Sequence, residues 1–107
     1  MIDLLSANYT DMTYQEFINS LSSQNPPTDI SENLQALWHD AKDNWNKAHD
    51  IVQVTSGYEG DWIHAYLHRK EGDLSNASYW YSRIGRSRPS KSLEEEWEEL
   101  AKHLLNN

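Results

Sequence analysis

DWIHAYLHRKEGDLSNASYWYSRIG, residues 61–85, decides the fold. Asp61 stands where a helix N-cap is expected, and Trp62 to Glu71 follows with helical spacing of apolar residues. Gly72 sits at the C′ position, where a left-handed residue ends a helix. Asp73 or Ser75 opens a second helix over Leu74 to Ile84, and Gly85 stops it. Two helices joined by so short a link pack as an antiparallel pair.

The same pattern extends outward in both directions. Thr13 and Glu16 occupy the two ends of a capping box, and Phe17, Ile18 and Leu21 follow at helical spacing. The segment SSQNPPT (22–28) breaks that helix, because Pro26 and Pro27 remove backbone donors. Asp29 or Ser31 caps a long helix reaching Gln53, with Leu34, Leu37, Trp38, Ala41, Trp45, Ala48 and Val52 along one arc. VTSGYEG (54–60) reads as a loop with two glycines, and RSRPSK (86–91) as another. Ser92 and Glu95 form a second capping box, and the last helix packs through Leu93, Trp97, Leu100, Ala101 and Leu104. Glu94, Glu95 and Glu96 lie at its positive end, Lys102 and His103 at its negative end. No segment alternates as a strand does. The expectation is a single all-α domain, a compact five-helix unit over residues 1–107, with residues 1–12 as an arm.

Composition narrows the function. The chain has 107 residues, of which 37% are hydrophobic, so one modest core is expected. Five Trp and six Tyr point to a core built around aromatic rings. A net charge of −8 argues against nucleic acid and anionic membrane as partners. Within that acidity Arg69, Lys70, Arg83, Arg86, Arg88 and Lys91 come late in the chain and suggest a local basic strip. With no Cys there is no disulfide framework, thiol nucleophile or Cys-bound zinc. The opening residues lack a basic segment followed by an apolar run, so no secretory leader is expected, and a soluble cytoplasmic protein is. No nucleophile elbow, glycine-rich phosphate loop or dinucleotide fingerprint is present.

Two resemblances rest on quoted residues. Gly72–Asp73 at the turn, Ala77 at the helix contact, Trp80–Tyr81 as the bulky pair and Pro89 beyond the second helix make 65–89 similar to one tetratricopeptide-like helical repeat. Ile84 departs from it, standing where such a repeat has a small residue. The blocks ALWHDAKDNWNKAHDIVQ (36–53) and 61–85 together resemble a family of short, uncharacterised bacterial and fungal proteins. That resemblance implies a helical fold and carries no activity or site residue with it.

Several residues are candidates for chemistry. His64 and His68 are four apart, the spacing of two metal ligands on one helix face, with Glu71 on the same side. The residue after His64 is Ala65, so the glutamate of a zinc-protease motif is missing. On a helical wheel these three lie opposite the arc of Trp62, Ala65 and Tyr66, which favours a solvated face. Trp45, His49 and Gln53 follow one another at successive turns and border the apolar stripe of the long helix. If the 61–71 helix folds back, His49 meets His64 or His68, and three neutral imidazoles with an open position suit Zn²⁺ or another transition metal. Otherwise His49 is a half-buried donor to a backbone carbonyl. His39 and Asp40 are adjacent and face apart, so a surface role is expected for them. Asp61 and Asp73 are explained by capping, and His103 by the helix dipole.

Tyr79, Trp80 and Tyr81 cover more than one face, and with Arg83 and Arg86 they have the composition of a binding surface. The leading expectation is a non-catalytic module that binds a protein or peptide in a groove between the long helix and the 61–85 hairpin, using Trp45, His49, Gln53, Trp80 and Arg83. No cofactor is then needed. The alternative is a metal-dependent or acid–base enzyme, or a small-ligand site, built on His49, His64 and His68. A third reading is a homodimer formed through exposed aromatic rings.

Overall fold

A computed structural model describes residues 12–105. The arm expected over 1–12 lies outside these, apart from Met12. Among the described residues there are six helices and no strand: α1 (Tyr14–Ser20), α2 (Glu32–Ala41), α3 (Trp45–Gln53), α4 (Tyr58–Glu71), α5 (Leu74–Arg83) and α6 (Leu93–Leu105).

The all-helical expectation holds, and the count of five does not. The long helix expected up to Gln53 is two helices. Asp43 takes a left-handed conformation at φ 63°. Asp43 N–H then donates to Asp40 O at 3.0 Å and Asn44 N–H to His39 O at 2.9 Å. This is the Schellman closure, with Asp where glycine is usual. The Asn44 side chain at once caps α3 by accepting from Lys47 N–H. Ala41, expected on the apolar stripe, is therefore exposed beside the break.

A second boundary also differs. The 54–60 loop is shorter than expected, because α4 begins at Tyr58 with Gly57 as N-cap. Asp61 lies within the first turn and is not the cap. Position 60, inside the helix, needs glycine because a Cβ there would stand 2.7 Å from Thr55 O. The rest follows the sequence: both capping boxes form, Ser31 and Asp73 are N-caps, and Gly72 is left-handed at φ 92°.

Helix α4 is the hub, packed against α2, α3, α5 and α6. Every residue from Trp62 to His68 is buried. The bulkiest buried rings are aromatic (Trp38, Trp62, Tyr81, Phe17), interleaved with leucines 34, 37, 67, 100 and 105. Indole N–H groups are anchored rather than orphaned: Trp38 to Ser20 Oγ, Trp62 to Glu96, Trp97 to Leu37 O.

Two carboxylates are buried at 1% exposure, Asp40 and Glu96. Asp40 faces inward, against the expected surface role, and accepts from Tyr66 Oη at 3.0 Å and Lys70 Nζ at 2.9 Å. Glu96 accepts from Arg69 Nη1 at 2.8 Å, Trp62 Nε1 at 3.1 Å and Tyr81 Oη at 2.6 Å. Burial and these carboxylates push both phenols up, so they stay protonated donors. The expected basic strip is thereby largely consumed, with Arg88 bonded only to Ser78 Oγ. Arg69 and Lys70 serve Glu96 and Asp40, Arg83 pairs with Asp61, and Arg86 and Lys91 pair with Glu99. No helix among the described residues is long and apolar enough to cross a membrane.

Candidate metal centre

Helix α4 carries a polar stripe at spacings of three, four and three: Asp61, His64, His68 and Glu71. Such spacings keep the four on one face. The same helix also presents Trp62, Ile63, Ala65, Tyr66 and Leu67 to the core. A helix with neighbours on most sides buries the middle of its polar stripe too, while Glu71 at the end stays exposed. His64 and His68 are 6% and 7% exposed, so the solvated face expected for them is overturned.

Helix α3 packs on α4 and supplies the third imidazole. Trp45 fixes its start by donating its indole N–H to Leu67 O at 2.8 Å. One turn on, His49 stacks on Trp45, with ring centres 4.9 Å apart and planes within 9°. His49 Nε2 then lies 3.1 Å from His64 Nε2. One ring nitrogen from each of His49, His64 and His68 lies within 4.8 Å of the others. A tetrahedral ion with bonds of about 2.0–2.1 Å holds two nitrogen ligands about 3.3–3.4 Å apart. At 3.1 Å the His49–His64 pair is slightly closer than that edge and is hydrogen-bonded, so an ion would replace the shared proton and part the two nitrogens a little.

The surroundings prepare these rings as ligands. His68 Nδ1 is 2.7 Å from Glu71 Oε2. A carboxylate only accepts, so Nδ1 of His68 carries a proton and Nε2 is the nitrogen left to face a metal. A carboxylate behind an imidazole is the outer-shell partner of metal-bound histidines. Burial, then the rings of His49 and His68, pushes the His64 imidazole down to about 4. His49 is lowered as well, by burial and then by His68, with Asp50 and Glu71 opposing. Both rings are neutral at pH 7, the form a metal requires. Without an ion, one of His49 and His64 donates to the other, and the ring nitrogens left without a protein partner keep access to solvent.

Helix α5 closes the side. Trp80 lies flat on His64, ring centres 3.9 Å apart and planes within 15°. Of the three consecutive rings, Tyr79 is exposed, Trp80 half-buried and Tyr81 buried. Arg83 reaches Asp61 Oδ2 through Nε at 3.3 Å, and its guanidinium carbon is 5.1 Å from the centre of the Trp80 ring. Gln53, Asp61, His64, Trp80 and Arg83 line one cleft of about 210 Å³.

Each candidate can now be placed. His49, His64 and His68 converge; Trp45 stacks on His49 and Trp80 on His64; Gln53 and Arg83 line the cleft beside His64, which neither His49 nor His68 lines. His39 stacks edge-on against Trp38 and is not part of the group. His103, expected to serve the helix dipole, pairs with Glu59 at 3.1 Å. His68, Glu71 and Asp73 form another cluster of ligand type, with both carboxylates exposed. There Glu71 is bonded to His68 and Asp73 caps α5, so both are explained without an ion. Glu71 as the orienting group is what the sequence reading missed. Its signal was the three-residue spacing from His68.

Comparison with known proteins adds nothing to this geometry: no family model matches the chain, and neither does any curated protein or solved structure.

Proposed function

We propose that this protein binds one divalent transition-metal ion through His49, His64 and His68. The observation that carries the reading is the convergence of three imidazoles from two helices, with His68 fixed by Glu71. An all-nitrogen donor set suits Zn²⁺, Cu²⁺, Ni²⁺ or Co²⁺ and disfavours Mg²⁺ and Ca²⁺, which prefer oxygen. Three protein ligands leave one tetrahedral position open, the arrangement of catalytic rather than closed structural sites. The reading as a peptide-binding module has less support, because Trp80 is half-buried and stacked on His64.

Calorimetric titration with Zn²⁺ at pH 7 tests this. The expected result is one ion per chain, with a melting temperature that rises as metal is added. At a hundredfold excess over Kd the stabilisation is about 2.7 kcal/mol. His49→Ala, at a half-buried position, should keep the helical circular dichroism and lose at least tenfold in affinity. Equal zinc binding by wild type and His49→Ala, or none by either, would refute the proposal.

A further inference from the structure

A larger cavity is bounded by α1, the end of α2, α4 and the first turns of α6. Its volume is about 340 Å³, inside the range of about 300–1,000 Å³ typical of small-ligand sites. No histidine lines it, so it is independent of the metal centre. The turn at Asp43 ends α2 at Ala41, the smallest side chain on the wall, which fills little of the space.

The apolar walls come from Tyr14, Leu21, Leu93 and Trp97. Tyr14 and Trp97 meet edge to face, with ring centres 6.5 Å apart. Such walls take an apolar or aromatic body.

Charge decides what that body carries. The ionised side chains on the wall are Asp40, Lys70, Glu94 and Glu98. Lys70 offsets Asp40 at 2.9 Å, and Lys102 offsets Glu98 at 2.7 Å. Glu94 is left over. It is exposed, and among the described residues it joins no salt bridge. Its charge is felt at the floor of the cavity. The Tyr66 phenol is pushed up by burial first, then by Asp40 and Glu96, and by Glu94 as well. Tyr66 gives its proton to Asp40, so its oxygen can only accept. The wall thus carries one uncancelled negative charge, in a molecule whose net charge of −8 draws cations towards it.

We infer that this cavity binds a small organic cation, an ammonium group on an apolar body, with the ammonium at Glu94 and the body against Tyr14 and Trp97. An anion of the same shape meets Glu94 with the wrong sign, and a neutral molecule forgoes the ion pair.

The test is a proton–nitrogen NMR titration at pH 7 and low salt. It is read at the Trp97 indole, whose N–H is fixed on Leu37 O. The probe is phenethylamine, with phenethyl alcohol as the neutral control and hydrocinnamate as the anionic one. The amine should bind about two- to fivefold more tightly than the alcohol, the size of one ion pair at an exposed carboxylate. Hydrocinnamate should bind more weakly than either, and added salt should erase the amine's advantage. Glu94→Gln should bring the amine down to the alcohol with helical content unchanged. Ala41→Trp, at an exposed wall position, should close the cavity to all of them. Equal affinity for amine and alcohol, an amine preference that survives Glu94→Gln, or binding that survives Ala41→Trp overturns the inference. So does the absence of any binding by the wild type.

Discussion

Two buried polar groups hang on α4, and they are finished to different degrees. Around Arg69 and Lys70 the network is closed: both oxygens of Asp40 and of Glu96 accept from named donors. Around His64 and His68 it is open. Glu71 satisfies one nitrogen of His68, His49 and His64 face each other through a single shared proton, and lone pairs are left over. A closed network ties α2, α4, α5 and α6 together and gives one register. An open one has nitrogens to spare, and on the reading proposed above these are metal ligands. On that reading the difference separates a structural role from a functional one within a single helix.

The largest expected effect comes from opening the closed network. Glu96→Ala strands the Arg69 charge and the Trp62 and Tyr81 donors in the core. Removing one partner of a buried pair costs about 3–5 kcal/mol. Urea unfolding should show it, and a loss under about 1 kcal/mol would mean water replaces the carboxylate.

The next test cuts the one link that makes the histidine group orderly. Glu71→Gln keeps the shape and weakens the acceptor at His68 Nδ1. Loss of an outer-shell carboxylate typically costs about 10–100-fold in metal affinity. Zinc titration should find that loss with little change in the stability of the metal-free protein. A large drop in metal-free stability with intact zinc affinity would put Glu71 in the structural class.

The smallest effect is expected from making the histidine group apolar. His64→Leu has similar volume and removes a polar group with a single partner, so the metal-free protein should change by less than about 1.5 kcal/mol. It should also change the response to acid. The folded His64 titrates near 4, below its ordinary 6.5. As pH falls, the unfolded chain takes up the proton first. Metal-free wild type should thus hold its stability above about pH 6.5 and lose it progressively towards pH 4. Denaturant midpoints across that range should slope less in His64→Leu, and an equal slope in both would assign the acid response to other groups.

Much of this fold is legible in the chain. Thr13 with Glu16, Ser92 with Glu95, and the left-handed Gly72 and Gly85 mark helix ends by chemistry local to each end. The break after Ala41 is not legible in that way. Asp43 fills a conformation usually given to glycine, and Trp45 and Ala48 carry the apolar rhythm across the gap. The histidines were legible as residues and not as a buried group. A helical wheel ranks the faces of one helix, and it cannot tell how many neighbours that helix will have. Tyr66 and Lys70 meeting Asp40 lie 26 and 30 residues away from it in sequence. Only the tertiary fold brings such pairs together.

The stacked rings give the centre an optical consequence. Two of the five tryptophans, Trp45 and Trp80, lie flat against His49 and His64. Whatever changes the electronic state of those imidazoles, whether a proton or a paramagnetic ion such as Cu²⁺, sits within ring contact of an indole. Under the proposed metal binding, the protein would carry its own emitters at the centre, and their brightness would report its occupancy without a label.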